Sequence, residues 1–358
     1  MITISTSELK RFLYHAKNIR DNRILPILSY VKLECKGNSA TLTKSNLNSF
    51  VVCEIKAEFK KDETILIDQQ TLSACVNFGK GKEVKITLKN GNVIMDDGFR
   101  ELKSQCEDEK NFPEIETNTG EKTPFDADVM ASLSLAKSHT LPAASGGMRE
   151  WKCFVHVLKI ENKSFIVGIS GAVSYFKSFK QKMPEISLDP ETVAIITKFP
   201  EADYSSNDRY DYFQHEGTTY GFIKAETGRP QLEGIFDKFK SEDSLTVNRK
   251  DLVDFCEMVQ SFNGTTIPPE VSMINVDKNK VLLKYIDLTG VEKASEPIAV
   301  EGKTFDIPDI LFLPKNLLIV MKDLGVEKIK IEKIMGNMIV SSPEEKNYTG
   351  SIMELSKL

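Results

Sequence analysis

Three kinds of chemistry are worth seeking in this chain: attack by an activated serine, wrapping of a phosphate by glycine amides, and metal coordination by histidine or cysteine. Gly168-Ile169-Ser170-Gly171-Ala172 nearly spells a nucleophile elbow, G-x-S-x-G. It ends in alanine, however, and falls inside a run with strand alternation instead of at a strand-to-helix turn. Gly79-Lys80-Gly81-Lys82 combines glycine with lysine, yet it follows a helical pattern and lacks the G-x-x-x-x-G-K-S/T spacing of a phosphate loop. It reads as a helix C-cap. His15, His139, His156 and His215 form no i, i+4 pair, and Cys35, Cys53, Cys75, Cys106, Cys153 and Cys256 contain no C-x-x-C. The cysteines read as reduced packing residues, with Cys75 and Cys256 on apolar helix faces. Glu107-Asp108-Glu109 and Asp208 with Asp211 read as solvated loop faces. No catalytic residue, metal or cofactor is expected, and a hydrolase would need a convergent polar cleft that the sequence does not show.

Phosphate neutralisation is a fourth possibility, and here the basic residues are informative. A formal net charge of −5 argues against a uniformly basic nucleic-acid binder, but not against one whose positive charge gathers on a single surface. Lys10, Arg11 and Lys17 lie on the polar arc of the first helical pattern, with Arg20 and Arg23 at its exit. Lys80, Lys82, Lys137, Arg149, Lys198, Arg249, Lys250, Lys315 and Lys322 hold comparable positions further along.

The elements that position these residues recur. A short apolar strand, a polar cap and an amphipathic helix begin at Ile2, Thr64, Thr123, Glu185, Ser244 and Thr304, a period of about 60 residues. Ser5 with Glu8 fits a capping box; Asp189 before Pro190 fits an N-cap and first helical position; Asp68, Asp126 and Asn248 can cap other copies. Leu9, Phe12, Leu13 and Ala16 share one stripe, as do Leu252, Phe255, Cys256 and Val259. Runs of strand periodicity follow each helix, with turns at Lys36-Gly37-Asn38, Asn162-Lys163 and Lys278-Asn279. The pattern predicts an α+β fold of six half-domain repeats, in which two helices pack on antiparallel sheets in each of three similar domains, 1–120, 121–242 and 243–358. Polar linkers fall around Phe112-Pro113-Glu114-Ile115 and Arg229-Pro230-Gln231-Leu232. With 358 residues, 41% of them hydrophobic, the chain has the composition of a soluble globular protein. It shows no membrane-length apolar run and no signal-peptide layout, so a cytoplasmic location is expected.

Arg23-Ile24-Leu25-Pro26-Ile27-Leu28-Ser29-Tyr30-Val31 resembles the L-P-I-L-S-N-V segment of the bacterial DNA sliding clamp, the β subunit of DNA polymerase III. Thr43-Lys44-Ser45-Asn46-Leu47 stands in the place of that family's T-A-T-D-L, and Asn111-Phe112-Pro113 in the place of its E-F-P. The resemblance runs the length of the chain, ending at Ser351-Ile352-Met353-Glu354-Leu355, where the family has a short apolar tail. It departs at Ile169-Ser170-Gly171-Ala172-Val173, where the family carries T-D-G-H-R. The resemblance implies a DNA clamp fold and a non-catalytic processivity factor. Helices would line the hole of a head-to-tail homodimeric ring around duplex DNA, contacted without regard to sequence. It also implies a DNA polymerase, a clamp loader and other clamp-binding-motif proteins as partners. Their peptides would dock in a groove that includes Gly171, Val173, Phe236, Val340, Ile352, Met353 and Leu355. A phage or mobile-element ring serving a different polymerase would share everything but that groove.

Overall fold

A computed structural model describes residues 1–21, 24–116, 120–142, 151–170, 173–232, 244–261, 271–277, 279–286, 292–303, 310–334, 337–343 and 348–353. Among them are six α-helices: α1 (Thr6–Ala16), α2 (Gln69–Phe78), α3 (Ala127–Lys137), α4 (Pro190–Ile196), α5 (Arg249–Ser261) and α6 (Pro314–Asp323). Each follows a short strand, in turn Ile2–Ser5, Glu63–Asp68, Thr123–Phe125, Ile186–Leu188, Ser244–Asn248 and Ile310–Phe312.

The helix starts follow from side chains that satisfy orphan amides. Ser5 accepts from the Glu8 amide at 3.2 Å, Asp68 from Thr71 at 2.7 Å, and Asn248 from Lys250 at 2.9 Å. Asp189 accepts from both Glu191 and Thr192. The carboxylate of Glu8, expected in a capping box, is instead paired with Arg11 at 2.8 Å. The last helix lacks a side-chain cap and relies on Pro314, whose preset φ suits the first turn. Leu9, Phe12 and Ala16 of α1 are buried where α1 meets α2, and Leu252, Phe255, Cys256 and Val259 of α5 are buried beside α6. Full burial of each large apolar side chain contributes about 1.5–3 kcal/mol.

The sheets are antiparallel, and their pairing repeats. The strand before each odd-numbered helix pairs with a strand that follows the next helix: Ile2–Ser5 with Glu83–Lys89, Thr123–Phe125 with Ala202–Ser206, Ser244–Asn248 with Lys328–Ile334. The strand before each even-numbered helix pairs backwards: Glu63–Asp68 with Tyr30–Lys36, Ile186–Leu188 with Val155–Ile160, Ile310–Phe312 with Val271–Asp277. Successive helical units therefore exchange leading strands, and the exchange occurs three times.

Contacts divide the chain into two compact units, residues 1–127 with 198–224, and 128–197 with 225–358. The middle third of the sequence is shared between them. In the first unit Ser49–Ile55 pairs with Thr218–Ile223, Thr218 opposite Cys53, within an eight-stranded sheet. In the second, Val173–Phe179 pairs with Tyr348–Met353, Val173 opposite Ile352, within a thirteen-stranded sheet. The segments expected to be linkers are pinned by apolar side chains: Phe112 is buried, and Leu232 is buried in a cluster with Leu158, Ile160, Val167 and Phe176.

Gly79-Lys80-Gly81-Lys82 does end α2, and its glycines answer to space. A Cβ at Gly81 would meet the Asp97 carbonyl at 1.9 Å, and one at Gly79 the Cys75 carbonyl at 2.3 Å. Asp97 holds the turn, accepting from the amides of Lys80 at 2.9 Å, Phe99 at 2.9 Å and Arg100 at 2.7 Å. These bonds, that of Phe99 foremost, keep its carboxyl below the usual range against the opposing effect of burial. Gly81→Ala should lower stability by about 2 kcal/mol or more in denaturant unfolding, whereas Gly325→Ala, with open space around the new Cβ, should change it little. Equal effects would contradict this packing.

Candidate nucleic-acid interface

A group of basic side chains gathers where α1 ends. Tyr220, on the strand Thr218–Ile223, donates its hydroxyl to the His15 carbonyl at 3.2 Å and accepts from Asn18 at 2.9 Å. His15 Nδ1 lies 3.0 Å from the same hydroxyl. Asn18 turns its amide oxygen to Lys198 Nζ at 2.6 Å. Phe199 packs against the rings of His15, His215 and Tyr220, and the Lys17 ammonium sits 4.2 Å above the Tyr14 ring. Burial, and then the charges of Arg11, Lys198, His215 and Lys17, push the His15 pKa down to about 4. Residues 180 and more positions apart in sequence thus produce one positive region, despite the net negative charge of the chain.

The other expected DNA-contacting residues fall into three groups. Lys10, Lys17, Arg20, Lys80, Lys82, Lys198, Lys250 and Lys315 are exposed, with Lys250 Nζ 4.0 Å from Asp254; Lys137 is half-buried in the last turn of α3. Arg11 and Arg249 have their guanidinium groups engaged inside the fold. Arg11 bonds Glu8, the Thr218 hydroxyl at 3.2 Å and the Glu54 carbonyl. Arg249 donates to the carbonyls of Val326 at 2.9 Å and Met321 at 3.0 Å, closing the end of α6. Arg23, Arg149 and the side chain of Lys322 lie outside the described residues. Sequence reasoning assigned no role to Asn18, Tyr220 or Phe199, because nothing in a one-dimensional pattern brings residue 220 to residue 15.

Four of the residues expected in a peptide groove share one sheet. Val173, Val340 and the backbone of Ile352 and Met353 belong to three adjacent strands of one sheet, with Ile352 opposite both Val173 and Met338, and Val340 opposite Gly350. Val173 and Val340 are buried, and α6 packs on two of the three strands, Val173–Phe179 and the central Tyr348–Met353. Gly171, Phe236, Leu355 and the side chains of Ile352 and Met353 lie outside the described residues.

The groups considered first for catalysis have other partners. Ser170 Oγ is turned onto the Val173 backbone at 3.1 Å in a hairpin, and Gly168 allows α3 close, since a Cβ there would meet the Ala136 carbonyl at 2.0 Å. His156 is buried with Ser187 Oγ and the Trp151 carbonyl on its two nitrogens. Burial pushes the thiols of Cys35 and Cys53 up to about 11 and that of Cys256 to about 12, which disfavours the reactive thiolate. Among the described residues no three His, Cys, Asp or Glu side chains could hold a metal, and no helix is long and apolar enough to cross a membrane.

His15 gives a pH signature. Its folded pKa is lowered, so the unfolded chain binds the proton more tightly; stability is full above about pH 6.5 and declines as pH falls towards 4. Melting temperature measured across that window should fall less for His15→Gln than for the parent chain. Identical pH profiles would contradict the assignment.

No protein-family model and no curated protein matches the sequence. Solved structures match in shape. The DNA polymerase III subunit beta from Pseudomonas aeruginosa superposes with a TM-score of 0.84 at 15% identity, covering 100% of both chains. The DNA polymerase sliding clamp from Bacillus subtilis superposes with a TM-score of 0.83 at 13% identity, over 100% of this chain and 99% of that one. The clamp from Caulobacter crescentus gives 0.82 at 13% identity over 99% of each. From end to end, the chain has the fold of the sliding clamps.

Proposed function

We propose that the chain is a non-catalytic DNA sliding clamp, a processivity factor that encircles duplex DNA as a ring and tethers a polymerase. The observation that carries this reading is a sheet junction that occurs twice and is left open once. Ser49–Ile55 and Val173–Phe179 are equivalent strands of successive repeats, and each pairs with the last strand of another repeat, Thr218–Ile223 and Tyr348–Met353 respectively. The third members of the two sets are Glu292–Ala294 and Glu101–Gln105. Among the described residues the first pairs only with Lys280–Ile286 and the second only with Asn92–Asp96. Two different edges of one chain, each the complement of the other, make a head-to-tail contact; two copies then close a ring of twelve half-units. The three-domain division at 1–120, 121–242 and 243–358 follows from the same repeat.

Enclosure relieves the DNA contact of any need for strength or sequence readout. Lys10, Lys17, Arg20, Lys80, Lys82, Lys198, Lys250 and Lys315 would supply phosphate contacts, with Lys137, Arg23, Arg149 and Lys322 beside them. Arg11 and Arg249 would serve by holding the fold. Partner peptides of a polymerase and a loader would dock along the junction of Val173, Val340, Ile352 and Met353. The departure at Ile169-Ser170-Gly171-Ala172-Val173 favours a partner different from that of the clamps with T-D-G-H-R, which peptide-binding measurements would show.

The edge assignment is testable. Cys106 N donates to the Gly91 carbonyl at 3.0 Å, so by alternation the amides of Glu101, Lys103 and Gln105 face away from the neighbouring strand. Lys103→Pro removes one outward donor while leaving the inner ladder whole. Light scattering should give the parent chain twice its 40.3 kDa mass, and Lys103→Pro a single mass with little change in melting temperature. A monomeric parent, or a dimer indifferent to the proline, would overturn the edge assignment. In the dimer, Lys17, Lys80 and Lys198 changed together to Glu should flatten the dependence of duplex affinity on log salt by roughly 0.9 for each phosphate no longer neutralised. An unchanged slope would exclude these residues from the DNA-binding surface.

A further inference from the structure

The exit of α1 is held from below by a buried lysine. Lys44, on the strand Ser39–Ser45, is 1% exposed. Its ammonium bonds Asp21 and also Gln69, the first residue of α2. Two residues on, the Asn46 side chain donates to the Arg20 carbonyl at 3.1 Å. The turn that carries Asn46 is itself fixed to the sheet. Asn46 Oδ1 accepts from the Ser49 amide at 2.8 Å, the Tyr210 hydroxyl donates to the Leu47 carbonyl at 3.1 Å, and the Ile223 amide to the Asn48 carbonyl at 2.8 Å. Arg20 and Asp21 are thus tied, one through its backbone and the other through its side chain, to a rigid support.

A buried ammonium is a poor way to fill space, since an apolar residue of similar volume avoids its desolvation. What Lys44 adds is a bridge between the α1 exit and the start of α2, together with a positive charge beside Asp21. The Asp21 side chain is 67% exposed, and left unpaired it would repel a phosphate approaching Arg20. We propose that Lys44 is a positioning residue for DNA, one that fixes the Arg20-Asp21 segment and cancels the Asp21 charge so that Arg20 can meet the phosphate backbone. This rests on the reading of Arg20 as a DNA contact.

A double-mutant cycle decides the matter, with affinity for a short duplex at low salt measured on the full-length protein. Lys44→Met keeps the stem and removes the charge. It should weaken binding roughly 3- to 10-fold, as should Arg20→Ala, and the double variant should bind no worse than the weaker single one, because both act through one contact. Additive losses would overturn the proposal, as would parental affinity in Lys44→Met alongside a weakened Arg20→Ala. Parental affinity in Arg20→Ala would instead remove Arg20 from the DNA contact, and the proposal with it. If circular dichroism shows Lys44→Met unfolded, Lys44→Gln, which also removes the charge but keeps a polar end for the buried site, takes its place in the cycle. Arg20→Ala should then cost less in that background than in the parent, and an equal cost would overturn the proposal.

Discussion

Backbone hydrogen bonds between the last strand of one repeat and the third strand of another bind this structure together. They join Ser49–Ile55 to Thr218–Ile223 and Val173–Phe179 to Tyr348–Met353. Such bonds carry no side-chain code, and their strength lies in a continuous ladder that leaves no amide or carbonyl unpaired. Sheets that run across the repeats explain why the middle third of the sequence groups partly with the N-terminal third and partly with the C-terminal third. The same ladder fixes the placement of the helices, since each leading strand is paired in register before its helix begins. Under the proposed ring, the edges left open among the described residues, Glu101–Gln105 and Glu292–Ala294, are where a second copy would add.

The second requirement is electrostatic, and the net charge of −5 obscures it. Acidic residues are dispersed along strands and turns, and several are already paired with lysine, as in Lys61 with Glu63, Lys284 with Glu292 and Lys328 with Glu301. Near the end of α1 the balance reverses. Burial holds the His15 pKa down, and the charges of Arg11, Lys198, His215 and Lys17 add to its effect. A local field of this sign would suffice for the proposed geometric hold on DNA, because contacts that are individually weak and blind to sequence leave sliding possible.

The repeat was legible in the sequence because its signals are local: a cap, an apolar stripe at helical spacing, a glycine turn. Ser5, Asp68, Asp189 and Asn248 do cap their helices, and the stripe Leu252, Phe255, Cys256 and Val259 is buried. The α+β class with antiparallel sheets followed from the same signals. The exchange of leading strands was not legible, since pairing register depends on contacts between distant segments. The basic residues show the same limit. Their helical positions could be read, but not that Arg11 reaches Glu54 and Thr218, nor that Arg249 closes the end of α6. Lys44 was hidden by its neighbours, a lone lysine in an alternating strand that reads as surface until Asp21 and Gln69 are brought over it.

Enclosure of DNA is the central claim, and retention on nicked circular duplex, compared before and after linearisation at two salt concentrations, tests it most directly. The chain loaded on circles should stay bound at both salts and run off once the circle is cut. Equal retention on circular and linear DNA, or loss from both with rising salt, would mean that contact strength and not topology holds the protein, and would contradict the ring.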